Sequence, residues 1–283
     1  MLHSMRGITK LCGILLPVAL LSSAYADPAP PAEASLEDQR LAVMSQRIAA
    51  MEFTSGETGF PARLEATPLF RYDDQTRGYI DGTVWRLGKM TRPLAIVTAE
   101  LHPRYGGSPR IVYDFLSLTS VPFVAHPSDV GNWSPGGSAV DWKSFPDAPV
   151  PAASAALRLA QMKQLSARFV ATQDVEGQKV QLRLLPTPID RYQPFPLKDR
   201  SDGAIFVLCN GRNPALILLI ESDGETWSFG IGRLSLPSVL AASLNGVIVY
   251  HQQANVYGPG YNASNASVVI PGYEAGKGSV ETE

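Results

Sequence analysis

The side chains that could do chemistry in this sequence are few and far apart. Beyond residue 26 the histidines are His102, His126 and His251, and none of them belongs to a motif of metal ligands. Ser108 and Ser134 lie near glycines, but neither stands in the G-x-S-x-G pattern of a hydrolase nucleophile. The chain also lacks a glycine-rich phosphate loop that ends in Lys-Ser or Lys-Thr. We therefore predict no catalytic residue, no metal site and no cofactor, and we lean against an enzyme.

Ligand binding has better candidates in residues 102–142, a region rich in glycine and proline. Tryptophan is common at binding surfaces, and two tryptophans lie within about ten residues of each other there. The alternative is that both indoles fill the space between the two copies of an internal repeat, which is described below. The candidate residues are Trp133, Trp142, His102, His126, Arg104 and Tyr105.

The elements that must position these residues are clearest around residues 202–222. Two apolar runs, 204–209 and 215–220, flank Asn210-Gly211, a dipeptide that favours a tight hairpin turn. Because neither run alternates with polar residues, both faces of the hairpin should be covered by other parts of the protein. We predict deep burial for four of its side chains, Ile205, Phe206, Leu216 and Leu218.

The same pattern occurs twice in the chain, about 120 residues apart. Asp81-Gly82 matches Asp202-Gly203 at an offset of 202 − 81 = 121, and the apolar residues and the glutamate that follow match without a gap. Three further blocks recur in the same order, at offsets between 118 and 120. They begin at Arg40 and Arg158, at Arg63 and Arg183, and at Leu116 and Leu234. Four matching blocks in one order indicate a tandem duplication.

Each copy begins with an amphipathic helix. In the first copy Ser35 can cap the helix, and Leu41, Met44 and Ile48 recur at helical spacing. Apolar segments of strand length follow in both copies. The predicted fold class is α+β: a tandem duplication in which each copy has one helix and about five antiparallel strands. Because one copy is small for an independent core, we expect the copies to pack together with pseudo-twofold symmetry.

Four polar positions are kept in both copies, and they have two interpretations. Retention in both copies favours a structural role, in which arginine pairs with a carboxylate across strands and tyrosine keeps a half-buried ring and a solvated hydroxyl. The alternative is a pair of equivalent ligand sites, or one site at the pseudo-twofold axis. The paired residues are Arg71 and Arg191, Tyr72 and Tyr192, Asp81 and Asp202, and Glu100 and Glu221.

The two ends of the chain differ from the repeat between them. Arg6 and Lys10 precede an apolar stretch that stops at Ala24-Tyr25-Ala26, which is typical of a secretory signal peptide and its cleavage site. The stretch is too short for a membrane anchor, so we expect no membrane span after cleavage and an exported protein, periplasmic or extracellular. The predicted parts are a signal peptide at 1–26, a linker at 27–34, repeat unit 1 at 35–121, a connector loop at 122–151, repeat unit 2 at 152–251 and a disordered tail at 252–283.

The amino-acid composition argues against nucleic acid as a partner. The chain is 45% hydrophobic and 18% charged with a formal net charge of −2, so it has no basic field for nucleic acid. Cys209 is the one cysteine beyond residue 26, so no intramolecular disulfide can form in the exported chain. We predict that Cys209 is a buried, unreactive side chain, because it ends an apolar run. The partner itself is left unknown.

The export signal, the duplicated TPxxRY…DG…P…E units and the terminal LSL strands together resemble an uncharacterised family of secreted tandem-repeat proteins from planctomycete-type bacteria. The resemblance covers nearly all of the chain beyond the signal peptide. It implies a bacterial cell-envelope or extracytoplasmic setting, and it implies no activity and no site residues.

These observations favour an exported, non-enzymatic binding or structural module of unknown ligand. One alternative is a hydrolase of unrecognised type that uses residues 102–142, where the first copy departs most from the second. Another is a carrier for an apolar ligand, because a helix packed on a curved sheet often encloses one. A cleft with converging His, Asp or Ser side chains would favour the hydrolase.

Overall fold

The computed structural model describes residues 34–55, 64–74, 79–88, 91–102, 110–126, 132–194, 200–254 and 265–271. The fold over these residues is mixed α+β, with two helices and mostly antiparallel sheets. The described residues from Ser35 onward belong to one unit. The predicted signal peptide at 1–26 and almost all of the predicted linker at 27–34 lie outside the described residues.

Both helices begin at a serine cap. Helix α1, Leu36–Ala49, starts after Ser35, whose Oγ accepts a hydrogen bond from the backbone N–H of Asp38 at 3.1 Å. Helix α2, Ala155–Ser166, starts after Ser154, whose Oγ accepts from a backbone N–H three residues on at 3.3 Å. Each cap satisfies a donor that the first helical turn leaves without a partner in the helix. The helix start predicted at Ser35 is confirmed.

The N-terminal half continues after α1 with the strands β1 Glu52–Ser55, β2 Phe70–Asp74, β3 Tyr79–Leu87, β4 Ala95–His102, β5 Arg110–Ser117 and β6 Phe123–His126. Strands β2, β3, β4 and β5 pair in chain order, and every pair is antiparallel. Strand β1 pairs with β6 in a separate two-stranded sheet. The first sheet therefore brings the residues of β2 and β4 onto either side of β3.

The C-terminal half contains α2 and the strands β7 Lys143–Ser144, β8 Phe169–Val175, β9 Gln178–Gln181, β10 Arg183–Leu184, β11 Asp190–Tyr192, β12 Ser201–Asn210, β13 Asn213–Asp223, β14 Trp227–Arg233, β15 Val239–Leu244 and β16 Val247–Gln252. Strand β12 pairs with β10, β11 and β13, and β13 pairs with β14, whose other edge holds β7. A four-stranded sheet has the order β16-β15-β8-β9. The order β11-β12-β13-β14 follows the chain, as the order β2-β3-β4-β5 does.

The two larger sheets pack against each other through a shared central core. That core takes Val84 and Ile96 from β3 and β4, and Ile205 and Ile217 from β12 and β13. The side chains between them point the other way, because successive residues of a strand alternate between its faces. Those side chains form one core with α1 and a second core with α2. Each large sheet is therefore covered on both faces, which explains its unbroken apolar runs.

The predicted central hairpin is present as β12 and β13, with its loop one residue further along the chain. Asn210 pairs with Asn213, which leaves Gly211 and Arg212 as the two loop residues. Gly211 has φ of 62°, and a glycine with positive φ at the first loop position is typical of a tight two-residue hairpin. The predicted burial is confirmed, because four side chains have no exposed surface: Ile205, Phe206, Leu216 and Leu218.

The segment after residue 252 contains a strand that its composition does not predict. Strand β17, Asn265–Pro271, pairs antiparallel with β5 over seven consecutive residues and completes the edge of the N-terminal sheet. The expectation of a disordered tail at 252–283 is corrected for these residues. The edge of β5 supplies backbone hydrogen-bonding groups that a short apolar segment can satisfy, whatever the composition around it.

Among the described residues, no helix has both the length and the apolar character that crossing a membrane requires.

Candidate functional site

The polar residues kept in both halves form ion pairs inside the fold. In the N-terminal half, Arg71 Nε donates to Asp81 Oδ1 at 2.8 Å, and Arg71 Nη2 donates to Asp81 Oδ2. The same Nη2 donates to the backbone carbonyl of Glu37 in the first turn of α1 at 2.6 Å. Arg71 therefore ties strands β2 and β3 to the start of the helix, as a structural role requires.

The C-terminal half repeats this arrangement, and there a second arginine joins the ion pair. Arg191 donates to Asp202 through Nε at 3.0 Å and Nη2 at 2.6 Å, and its Nη2 also donates to the carbonyl of Ala155 in α2 at 2.6 Å. Arg158 on α2 donates to the same carboxylate at 2.9 Å. The side chain of Asp202 is only 6% exposed, so two guanidinium groups compensate its buried charge.

Tyr72 and Tyr192 are buried more deeply than the half-buried rings expected from the sequence. Tyr72 and Tyr192 are each 3% exposed. Each hydroxyl donates to a carboxylate two strands away in its own sheet: Tyr72 on β2 donates to Glu100 on β4 at 2.8 Å, and Tyr192 on β11 donates to Glu221 on β13 at 2.7 Å. Burial raises the pKa of Tyr192 well above its usual value, and the Glu221 carboxylate raises it further. Tyr192 is therefore a neutral hydrogen-bond donor within the core.

Trp142, one of the predicted binding residues, lies where the two large sheets meet. Its ring packs against the central core and is half-buried, and the guanidinium carbon of Arg92 lies 4.3 Å from the ring centroid. Arg92 also donates to both oxygens of Glu221, through Nε to Oε1 at 2.6 Å and through Nη2 to Oε2. A second ion pair crosses the same junction, from Arg86 Nη1 to Asp190 Oδ2 at 2.6 Å. Trp142 thus belongs to a cluster that joins the two halves.

Trp133 is enclosed in the core that the N-terminal sheet forms with α1. It has no exposed surface, and its ring centroid lies 5.0 Å from that of Phe115 and 5.3 Å from that of Phe123. Its backbone N–H and C=O pair with those of Ala125 at 2.9 and 2.8 Å. An enclosed ring offers no surface to a ligand, so this position favours a packing role. The two tryptophans lie in different cores and do not form one site.

His102 lies beside Glu100, the carboxylate that accepts the hydroxyl of Tyr72. Its Nε2 lies 3.2 Å from Oε2 of Glu100, whose Oε1 accepts the hydroxyl of Tyr72. The His102 side chain is 11% exposed. The other predicted residues in this region, Arg104 and Tyr105, lie outside the described residues.

His126 lies at the end of β6 and is half-buried. Its Nδ1 is 2.9 Å from Oδ1 of Asn132, and its Nε2 is 3.2 Å from Oγ1 of Thr54 on the adjacent strand β1. Thr54 and Asn132 are both exposed. Thr54 is 72 positions away from His126 in the chain, and no motif marks it. Only the pairing of β1 with β6 places its hydroxyl beside the imidazole.

A cavity of about 740 Å³ opens beside α1, and Thr54 is one of the residues that line it. We refer to it as the α1 cavity. Its apolar lining comes mainly from Ile48, Met51, Phe53, Leu64 and Trp85. Its polar lining comes from Ser45, Gln46, Glu52, Thr54 and Glu65. Its volume is within the range of pockets that bind small molecules, roughly 300 to 1,000 Å³.

A smaller cleft of about 180 Å³ lies in the C-terminal half between β7 and β16. Asp141, Lys143, Tyr250 and His251 are among its lining residues. Burial raises the pKa of Tyr250 to about 12, with Arg233 acting in the opposite direction. The phenol is therefore un-ionised near neutral pH, and the cleft offers much less room than the α1 cavity.

Cys209 lies at the end of β12 and is buried. Burial raises the pKa of its thiol to about 11, so the reactive thiolate is scarce near neutral pH. Within the described ranges, no three or more His, Cys, Asp or Glu side chains are grouped so that they could hold a metal ion.

No protein-family model, no curated protein and no solved structure matches this chain.

Proposed function

We propose that this protein is an exported binding module that holds a small, mostly apolar ligand in the α1 cavity. This proposal rests on the cavity itself, which has a volume of about 740 Å³. Some of its lining residues are exposed, so the cavity is open to solvent. A ligand that covers Phe53 and Leu64, both only partly buried, would gain free energy from the apolar surface removed from water.

The lining residues determine the class of ligand. One side of the cavity is aliphatic and aromatic, whereas Glu52, Thr54 and Glu65 supply oxygen atoms on another part of the lining. Pockets of this kind take their affinity from apolar contact and their orientation from a few polar groups. The ligand we propose is therefore a chain or ring compound that is mostly apolar and has one polar end.

A tandem duplication accounts for the location of the cavity. We propose that the two halves descend from one unit, because the helix, the strand order and the Arg-Asp and Tyr-Glu pairs recur in both. Position 171, which corresponds to Phe53 at an offset of 118, holds Ala171. Beside Ala171, the backbone N–H of Leu182 donates to the Ala171 carbonyl at 2.9 Å, and the Leu182 side chain is buried in the same core as Phe206. The C-terminal half uses this place for packing, and we assign ligand binding to the N-terminal half.

The setting of this function follows from the first 26 residues. Their positive start, apolar stretch and A-x-A ending support export to the periplasm or beyond the cell. The resemblance to secreted repeat proteins of planctomycete-type bacteria supports the same setting. A binding module in this location would meet ligands that come from the envelope or from the surroundings of the cell.

Fluorescence of N-phenyl-1-naphthylamine, a small apolar probe, tests the proposal in the purified protein. Ala49 lines the cavity and is exposed, so Ala49→Trp should place an indole in the entrance without disturbing the core. The matched control is Ala167→Trp, at the C-terminal end of α2, 167 − 49 = 118 positions further on, where the alanine is also exposed.

The expected result is a saturable rise in probe fluorescence for the unmodified protein and for Ala167→Trp, with at least about a tenfold weaker apparent affinity for Ala49→Trp, equivalent to about 1.4 kcal/mol. Either of two results would overturn the proposal. One is the absence of saturable binding in the unmodified protein, and the other is equal weakening by both substitutions.

A further inference from the structure

We infer that Thr54, which lines the α1 cavity, forms a nucleophile–base–positioning triad with His126 and Asn132, and that this triad cleaves carboxylic esters of a bound apolar acyl group. This inference rests on the proposed function, because the α1 cavity would hold the acyl chain. It also identifies residues for the hydrolase alternative, since His126 and Asn132 lie in the 102–142 region. The observation is the pair of contacts made by the two imidazole nitrogens.

The contacts are consistent with one tautomer of His126. The side-chain oxygen of Asn132 is 2.9 Å from Nδ1 and can only accept, so Nδ1 carries the proton and donates it. The other nitrogen, Nε2, is then an acceptor, and it lies 3.2 Å from the hydroxyl oxygen of Thr54. This is the order of groups that activates a hydroxyl nucleophile: a hydroxyl, a base within hydrogen-bonding distance, and a third group that orients the base.

Rigid elements hold each member of the triad. In the pairing of β1 with β6, Glu52 lies opposite His126, so Thr54 lies two residues along on the same face of the pair. Asn132 immediately precedes Trp133, whose backbone is paired with Ala125 in both directions. The enclosed ring of Trp133 therefore fixes the position of Asn132 beside His126. This gives Trp133 a supporting function that does not require its exposure.

A backbone donor is available next to the nucleophile. The backbone N–H and C=O of Ala125 both bond to Trp133 and therefore point away from β1. Phe53, which lies opposite Ala125, thus forms a non-hydrogen-bonded pair with it. The N–H of Phe53 consequently points away from β6, on the side of β1 that has no paired strand among the described residues. We assign this N–H, on the edge of β1 opposite His126, as the donor that would meet the oxyanion of a bound ester.

The reaction proceeds by acyl transfer in two balanced steps. The Thr54 oxygen attacks the ester carbonyl carbon while its proton passes to His126 Nε2, and the C–O bond to the alcohol breaks as the alcohol takes that proton. Water then attacks the acyl-threonine ester, giving its proton to Nε2, and the carboxylic acid leaves as Thr54 regains a proton. Water is the only co-reactant, and all three side chains are partly or fully exposed to it.

The C-terminal half retains the threonine, but the described residues opposite it on the adjacent strands, Ala241 and Gln181, are not bases. Thr172 corresponds to Thr54 at an offset of 118, and β15 ends with Ser243 and Leu244 where β6 ends with His126. Folding of this kind of unit therefore does not require the histidine. Thr172 gives a natural control, because it has the same residue type and the same strand position without the base.

Hydrolysis of p-nitrophenyl octanoate by the purified protein is the test. We expect turnover above the buffer rate, a loss of about a hundredfold or more in kcat/KM for His126→Gln and Thr54→Val, and retained turnover for Thr54→Ser and Thr172→Val. Asn132→Ala should lower the rate, and Asn132→Asp should restore it, because a carboxylate also accepts from Nδ1–H. An alkyl fluorophosphonate should add one phosphonyl group to Thr54, located by peptide mass spectrometry.

The outcomes separate this inference from the proposed function. N-phenyl-1-naphthylamine should bind His126→Gln as it binds the unmodified protein, because His126 is not among the residues that line the α1 cavity, and this binding also shows that the variant is folded. Urea denaturation shows whether Thr54→Val is folded. If the probe binds but the ester is hydrolysed at the buffer rate, the triad is overturned and the binding function stands. Hydrolysis that is unchanged in Thr54→Val, or labelling at another residue, overturns the triad as well.

Discussion

The ring of Tyr192 occupies the space that a side chain at Gly203 would need. A Cβ placed on Gly203 would lie 2.5 Å from Cε2 of Tyr192, and the same relationship holds between Gly82 and Tyr72, also at 2.5 Å. Real Cβ atoms do not approach a ring so closely, and both tyrosine hydroxyls are held by carboxylates. The glycines of the two Asp-Gly dipeptides are thus explained by the tyrosine rings that pack on them.

Gly203→Ala should therefore lower the free energy of unfolding by about 1–3 kcal/mol, because it forces the Tyr192 ring away from Glu221. Urea denaturation measures the change. Gly137→Ala is the control, since a Cβ there meets no atom within 4 Å and Gly137 has no positive φ. A loss below about 0.5 kcal/mol for Gly203→Ala would contradict the packing described here.

Phe206→Ala should cost about 3–5 kcal/mol, because the side chain is fully buried in the core with α2 and its removal leaves a cavity. Trp85→Ala, at the corresponding place beneath α1, should destabilise the protein too. Val170→Ala is a suitable control for both, since Val170 is 49% exposed. The midpoints of chemical denaturation provide the comparison, and core variants no less stable than the control would show that these side chains are not essential to packing.

Glu221→Ala should destabilise the protein by about 3–5 kcal/mol, because it removes the carboxylate that receives Arg92 and the hydroxyl of Tyr192 inside the junction of the two sheets. The Glu221 side chain is 5% exposed, so little water is available to replace it. Glu225→Ala, at an exposed position nearby, should change the stability by less than about 0.5 kcal/mol. Equal effects of the two substitutions on the denaturation midpoint would argue against a structural role for Glu221.

Cys209 should react with iodoacetamide at pH 8 only when the protein unfolds, because burial raises the pKa of its thiol to about 11. The raised pKa of Cys209 also determines how the stability of the protein changes with pH. Between the lower, ordinary pKa of the unfolded chain and about 11, the unfolded state has lost the proton that the folded state keeps. Stability should therefore fall as the pH rises through this window, and it should be unaffected by this group below it.

Peptide mass spectrometry follows the alkylation of Cys209, and urea denaturation at pH 8 and at pH 10.5 follows the linked stability. Cys209→Ala provides the reference, because it lacks the thiol and should lose less stability between the two pH values. Rapid labelling of the native protein at pH 8 would mean that the thiol is accessible in the folded state and is not protected by burial.

Local sequence was sufficient for the features that depend on neighbours in the chain. Ser35 caps α1 because its side chain reaches a backbone N–H three residues away, and Gly211 turns the central hairpin because glycine tolerates positive φ. The unbroken apolar run from Ile205 onward indicated coverage on both faces, and both cores of the C-terminal sheet provide it. In each case the physical cause acts within a few residues, so the sequence pattern reflects it directly.

Only the tertiary structure decided the environment of the side chains that could take part in binding or catalysis. Trp133 and Trp142 look alike in the sequence, yet one is enclosed beneath α1 and the other meets Arg92 between the sheets. Thr54 acquires a base only through the pairing of β1 with β6, and β5 acquires its neighbour β17 from the far end of the chain. These contacts join residues many tens of positions apart. Whether they form depends on the packing of the whole fold, which leaves no local pattern in the sequence.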